Sequence, residues 1–266
     1  MSGSRRRTLA ALMLLGLAAA APILLVAGGP GAGAAIDRCA IPPELGTLDG
    51  ALPRTAARLR ASEPLTIVAL GSSSTQGVGA TSPARSYPSR LAALLQAQFP
   101  GIAIRVVNRG VGGEIAPQML ARLGRDVMAE KPDLVIWQLG TNSVLRDRDP
   151  GDEIPVAETG IERLKAAHAD ILLMDMQYAP AVLIHPEYRD MELVLAEIAR
   201  DQDVPLIRRF AMMRHWAENG QMTPDMMLAR DRLHMSDTSY DCLARQVAHS
   251  IVGVTHDETA ALVNER

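Results

Sequence analysis

Along this chain, continuous apolar runs rich in β-branched residues alternate with stretches where apolar residues recur every three or four positions. The first run, Leu65-Thr66-Ile67-Val68-Ala69-Leu70, reads as a strand buried on both faces. It breaks at Gly71, and Ser72, Ser73 and Ser74 follow in a turn closed by Gly77. Further strands are predicted over 102–108, 133–139, 171–176 and 204–208. Between them, helices are predicted over 83–98, with Ser82 as cap and Pro83 in the first position, and from Gly113 to about Glu130. Others are predicted over 156–168, over 186–200, and from a cap at Ser236 or Asp237 to about Val252. Residues 36–63, with Pro42, Pro43 and Pro53, read as an irregular segment lying over the domain. Strands alternating with helices of this length predict an α/β fold, a parallel sheet covered on both faces.

The first thirty-odd residues do not fit that pattern. Arg5, Arg6 and Arg7 precede a long uncharged apolar run, and a small, Gly-rich exit offers Ala32-Gly33-Ala34 as a cleavage site. Residues 1–34 therefore read as a secretory signal, which makes the mature protein periplasmic or secreted. The alternative is an uncleaved inner-membrane anchor, which Pro22 would interrupt. Ser4–Leu9 also resembles a twin-arginine export signal, with Thr8 where a bulky apolar residue is usual. The remaining divisions are the segment 35–64, a domain over 65–256 and a tail over 257–266.

Composition narrows the partners. The chain has 266 residues, 48% hydrophobic and 21% charged, enough for one well-buried domain. Losing the three leader arginines takes the formal net charge from −3 to −6. A mildly acidic chain without a basic stripe argues against nucleic acid as partner. Aromatic residues make up only 3%, which argues against a long stacking platform for polysaccharide. Two cysteines occur, Cys39 and Cys242; in an exported chain they pair as a disulfide, and otherwise they are two buried thiols.

The predicted strand ends carry the chemistry. The first three run into Gly-rich or small polar turns on one edge of the sheet, which gathers Ser73, the amides around Gly113 and the side chain of Asn142. Downstream, Asp231-Arg232-Leu233-His234 places a carboxylate and an imidazole three residues apart. A serine hydroxyl attacks an acyl carbon only if a neutral imidazole takes its proton, and the imidazole needs an acceptor on its other nitrogen. The oxyanion then needs donors already aimed at it.

Four of these stretches together resemble the GDSL, or SGNH, hydrolase family. Gly71-Ser72-Ser73-Ser74-Thr75-Gln76-Gly77 is similar to its first block, with Ser73 at the nucleophile. Asn108-Arg109-Gly110-Val111-Gly112-Gly113 resembles the second, whose last glycine supplies an oxyanion amide. Gly140-Thr141-Asn142 resembles the third, in which the asparagine is an oxyanion donor, and Asp231–His234 the fifth. The resemblance implies a three-layer α/β/α sandwich with a five-stranded parallel sheet of flavodoxin-like type. It also implies an esterase or lipase that needs no metal or other cofactor and acts on a small-molecule or glycan ester. Ser73, Asp231 and His234 would be its catalytic residues, with the Ser73 and Gly113 amides and Asn142 as the oxyanion hole. Two positions depart from the pattern: Ser72 stands where Asp is usual, and Ser143 where Asp often follows the asparagine.

Arg146 and Tyr178 are candidates for lining the acyl or alcohol pocket, with solvent and core readings equally open. His168, His185, His215, His249 and His256 read as surface or structural, and the methionines around 212–227 as packing. An acyltransferase using the same residues is an alternative, as is a non-catalytic flavodoxin-like binding protein. A phosphate loop would need Gly-Lys after the turn, where Gly77 is followed by Val78.

Overall fold

The computed structural model describes residues 37–264, with side chains through 254. The expected leader, 1–34, and the His256 side chain lie outside that description. Five strands form one parallel sheet in the order β2-β1-β3-β4-β5. They are β1 Leu65–Gly71, β2 Ile104–Gly110, β3 Leu134–Gln138, β4 Asp170–Met174 and β5 Leu206–Ile207. Every residue of β3 and β4 is buried, and all of β1 except Thr66, which is why these strands read as unbroken apolar runs. β2 lies at the edge and is half-buried; its Arg105 and Arg109 both pair with Glu130, at 2.6 and 2.5 Å. Charge of that kind blunts an open strand edge.

The longer helices are α1 Pro53–Arg60, α2 Tyr87–Gln98, α3 Ala116–Ala121, α4 Glu153–Ala166, α5 Tyr188–Asp201, α6 Arg209–Glu218 and α7 Asp237–Asn264. α7 packs on α1 and α2 in one layer, and α4 on α3 and α5 in the other, so the sheet is the middle of three. α4 comes close because residue 160 is glycine: a Cβ there would stand 2.3 Å from Cη2 of the fully buried Trp137 on β3. Cys39 and Cys242 form a disulfide that ties the N-terminal segment to α7. Among the described residues, no helix is long and apolar enough to cross a membrane.

Several boundaries differ from the pattern reading. The helix expected over 83–98 is a 3₁₀ turn, Pro83–Arg85, followed by α2. A single helix would have put Pro88 in its interior, without an N–H to donate. Instead Ser86 is extended, its hydroxyl donates to the Pro83 carbonyl at 2.9 Å, and Pro88 sits in the first turn; Ser82 makes no side-chain cap bond. Residues 36–63 are not irregular throughout: Pro43–Gly46 and α1 are helices with proline in the first turn, which starts a helix rather than breaking one. The amides of Arg54 and Thr55 at the start of α1 donate to the Asp170 carboxylate, an anion at a helix N-terminus. The stretch from Gly113 to Glu130 is three short pieces, broken at Arg122 and Val127. The tail from 257 on continues α7 to Asn264, since Gly253 weakens helix propensity without a breaker after it.

β1 and β3 are neighbours although β2 lies between them in sequence, so the connections leave the sheet in opposite directions at their carboxyl ends. Open α/β sheets bind ligands in the crevice at such a point. Ser73 follows β1 and Asn142 follows β3.

Candidate active site

Ser73 is the first residue of a one-turn helix, Ser73–Gln76, set directly on the end of β1. Gly110 at the end of β2 makes room for it, because a Cβ there would stand 2.1 Å from the Gln76 nitrogen. The Ser73 hydroxyl lies 2.7 Å from Nε2 of His234, across 161 residues of sequence.

The loop that carries His234 is built around Asp231. Its Oδ1 accepts from the amides of Leu233 and His234 at 3.0 and 2.9 Å, and its Oδ2 stands 2.6 Å from His234 Nδ1. A three-residue spacing suits this, since one carboxylate closes the turn and meets the ring at its end. The Ala229 amide donates to the His234 carbonyl at 2.8 Å, and Gln177 Nε2 donates to the Leu233 carbonyl at 3.2 Å. A carboxylate only accepts, so Nδ1 carries a proton, and in the neutral ring Nε2 is then the bare nitrogen that faces Ser73. Partial burial pushes the Asp231 carboxyl up. The hydrogen bonds from the His234 ring and the two amides outweigh that and hold it below the usual carboxylate range.

Gly113 and Asn142 come together on the other side of the crevice. Asn142 lies in a one-turn helix, Thr141–Val144, after β3, and its Nδ2 donates to the Glu114 carbonyl at 2.9 Å. The exposed Arg146 donates from Nη2 to the Gly113 carbonyl at 2.5 Å. The loop behind Asn142 thus grips two successive carbonyls of the Gly113 loop. Arg122, only 7% exposed, fastens that loop from beneath, pairing with Glu114 at 2.7 Å and donating to the Arg109 carbonyl at 2.8 Å and the Gly71 carbonyl at 3.3 Å. Ser143 donates to the buried carboxyl of Glu153, which burial raises above the usual range and the Ser143 bond opposes.

Arg122 and Gln177 leave no motif in the sequence, since the backbone carbonyls they hold lie 13, 51 and 56 residues away. Tyr178 is half-buried, edge-on to Phe210 at 5.3 Å, with Tyr188 stacked on the same ring at 5.4 Å. Met212, Met213, Met222 and Met227 are core residues. His185 Nδ1 meets Asp147 at 2.6 Å, His215 meets Asn219 at 3.0 Å, and His249 lines a cavity of about 240 Å³ with Ile41 and Pro42. The donors of Asp147, His185 and Glu187 lie within 4.8 Å of one another, with Asp147 exposed; this is the grouping among the described residues that has the atoms for a metal.

The likeness to known proteins follows these features. An acetylxylan esterase of Geobacillus stearothermophilus is 43% identical over 63 residues, 24% of this chain and 29% of the relative. The thioesterase 1/protease 1/lysophospholipase L1 of Escherichia coli K12 is 30% identical over 105 residues, 40% of this chain and 50% of the relative. The chain therefore spans half or less of the length of these relatives. A crystal structure of a two-domain esterase active on acetylated mannans superposes with a TM-score of 0.67 at 21% identity, covering 80% of this chain and 56% of that one, and shares the fold. A family model matches residues 38–257, almost the whole of the described chain, and the protein belongs to the Non-GDSL lipase-like family.

Proposed function

We propose that this protein is an exported serine esterase that hydrolyses a small acyl ester, a carbohydrate O-acetyl group or a short-chain lipid or aryl ester. The observation that carries this reading is the line of hydrogen bonds from Ser73 through His234 to Asp231, in the tautomer that leaves Nε2 free to take a proton. Family membership and the names of the relatives support the reaction class.

On this reading the reaction has two halves, acylation and deacylation. Ser73 Oγ attacks the ester carbon while its proton passes to His234 Nε2, and Asp231 stabilises the resulting imidazolium. The oxyanion is met by the amides of Ser73 and Gly113 and the remaining N–H of Asn142. Collapse breaks the ester C–O bond, and His234 returns the proton to the leaving alcohol. Water then attacks the acyl-enzyme, again giving its proton to His234, and the acid leaves with Ser73 restored. Val78 and Val111, on the turns either side of Ser73, are exposed and would give the acyl group an apolar rim. Export is supported by the composition of 1–34 and by the cystine, a bond that persists in oxidising compartments.

The test is labelling with a fluorophosphonate, beside a series of p-nitrophenyl esters of rising chain length, acetylated xylan and acetylated peptidoglycan. Labelling at Ser73 with turnover of acetyl or short-chain esters is expected. A chain that neither labels nor hydrolyses any of them is not a serine esterase.

A further inference from the structure

Beneath the Ser73 turn lies a second set of hydrogen bonds that the reaction itself does not use. Oε1 of Gln138, the last residue of β3 and 1% exposed, accepts from three donors. They are the Ser72 amide at 2.9 Å, the Ser72 hydroxyl at 2.8 Å and the Ser74 hydroxyl at 3.2 Å. Because a backbone N–H only donates, the atom facing it must be the oxygen of the Gln138 amide and not its nitrogen. Behind Ser74 stands Arg209, fully buried, with Nη1 donating to the Ser74 Oγ at 2.8 Å and Nη2 to the Asp175 carbonyl at 2.6 Å. A guanidinium has no acceptor, so Ser74 must receive that bond and give its own proton to Gln138. The direction of every bond, from the buried cation to the glutamine oxygen, is thereby set.

The neighbouring peptide is pinned as well. The Ser72 carbonyl accepts from the amides of Thr75 and Gln76 at 3.1 and 2.9 Å. Gln138 therefore holds the peptide unit entering Ser72, and the first helical turn holds the unit leaving it. That second unit carries the Ser73 amide and leads into its side chain.

We infer that Gln138 is a positioning residue for Ser73. Through Ser72 and Ser74, with Arg209 orienting the network, it sets how the Ser73 amide meets an oxyanion and how the hydroxyl meets His234. The inference rests on Ser73 being the nucleophile. A packing role alone would change the amount of folded protein, whereas positioning changes the rate at each folded site.

The experiment compares Gln138→Met, close in volume but without the acceptor, with Gln138→Glu, which keeps it. Reactive serines are first counted by fluorophosphonate titration, so that each rate is per labelled site. Gln138→Met should lower kcat per site about 10- to 100-fold, the scale of a 1 Å misplacement, with KM changed by less than about threefold. Gln138→Glu should restore most of that rate. The inference is overturned if Gln138→Met keeps kcat per site within about threefold of the parent, or if Gln138→Glu is as slow as Gln138→Met. Should Gln138→Met fail to fold, Ser72→Ala combined with Ser74→Ala removes two of the three donors to Oε1, and the same thresholds apply. A parent chain that takes no label at Ser73 overturns the nucleophile reading and this inference with it, and is recognised before any variant is made.

Discussion

Asn142 holds the Glu114 carbonyl: its Nδ2 donates across 2.9 Å from the turn after β3 to the loop after β2. One of its two N–H bonds thus keeps the Gly113 loop in place, and the other is the one proposed above to meet an oxyanion. Asn142→Ala should lower kcat by about 10²–10³, the usual cost of losing one such donor, with KM little changed. Steady-state kinetics decide it. A rise in KM at unchanged kcat would mean that Asn142 positions substrate instead.

Ser73→Ala should abolish both turnover and fluorophosphonate labelling, while Ser72→Ala and Ser74→Ala each keep much of both. Of the three hydroxyls, only that of Ser73 bonds the His234 ring; the others point down to Gln138. Loss of His234 should cost about as much as loss of Ser73, on the order of 10⁶, because the pair acts as a unit. Mass spectrometry of the labelled peptide reads the result, and an adduct on Ser72 or Ser74 would refute it.

Asp231 gives a pH signature. Its carboxyl is held below the usual range by the bonds from His234 and Leu233. A carboxylate depressed in the folded state adds stability above its unfolded value, about 3.9, and that stability is lost as pH falls through the folded value. Asp231→Asn should therefore lower the melting temperature at neutral pH, with the gap to the parent closing below about pH 4. A gap in melting temperature that stays constant from neutral pH down to about pH 2 would contradict the assignment.

Gly110→Ala tests the seat of the nucleophile turn. Its Cβ would stand 2.1 Å from the Gln76 nitrogen, so either β2 or the Ser73–Gln76 helix must move. Overpacking of this sort costs about 1–3 kcal/mol, and here it should also slow turnover per labelled site. A variant with parent stability and parent kcat would show that the two elements have slack between them.

The sheet was legible because its central strands are buried on both faces and so carry no polar alternation to confuse the reading. Ser73, Gly113 and Asn142 stand out in the sequence because each follows a strand in a turn of glycines and small polar residues, and Asp231 and His234 through their Asp-x-x-His spacing alone; the structure brings Ser73, His234 and Asp231 into one line of hydrogen bonds. α1 was not, since Pro53 reads as a breaker until its place in the first turn is seen. Gln138 reads as a polar end to an apolar strand, and its partners lie 64 and 66 residues away. Arg122 and Arg209 look like solvated helix charges, yet they are 7% and 0% exposed; beside its pairs with Glu114 and Asp126, Arg122 holds the Arg109 and Gly71 carbonyls, and Arg209 holds the Asp175 carbonyl and the Ser74 hydroxyl. Such partners are set by three-dimensional approach and leave no spacing to read.

The bond between Cys39 and Cys242 joins positions 203 residues apart, which makes the domain a covalent ring. Ser73, Gly113, Asn142, Asp231 and His234 all lie inside it. A single proteolytic nick in the largely exposed stretch 145–152 would therefore open the ring without producing two molecules. The severed halves would stay tethered, running as one band on a gel until a reductant parts them. Closing so long a loop restricts the unfolded chain, by about 5 kcal/mol in the chain-entropy description; a nick removes that restriction and leaves only the tether between the two pieces. On the proposed export, where proteases are met outside the cytoplasm, the ring keeps Ser73 and His234 in one covalent molecule after a cut that would otherwise separate them.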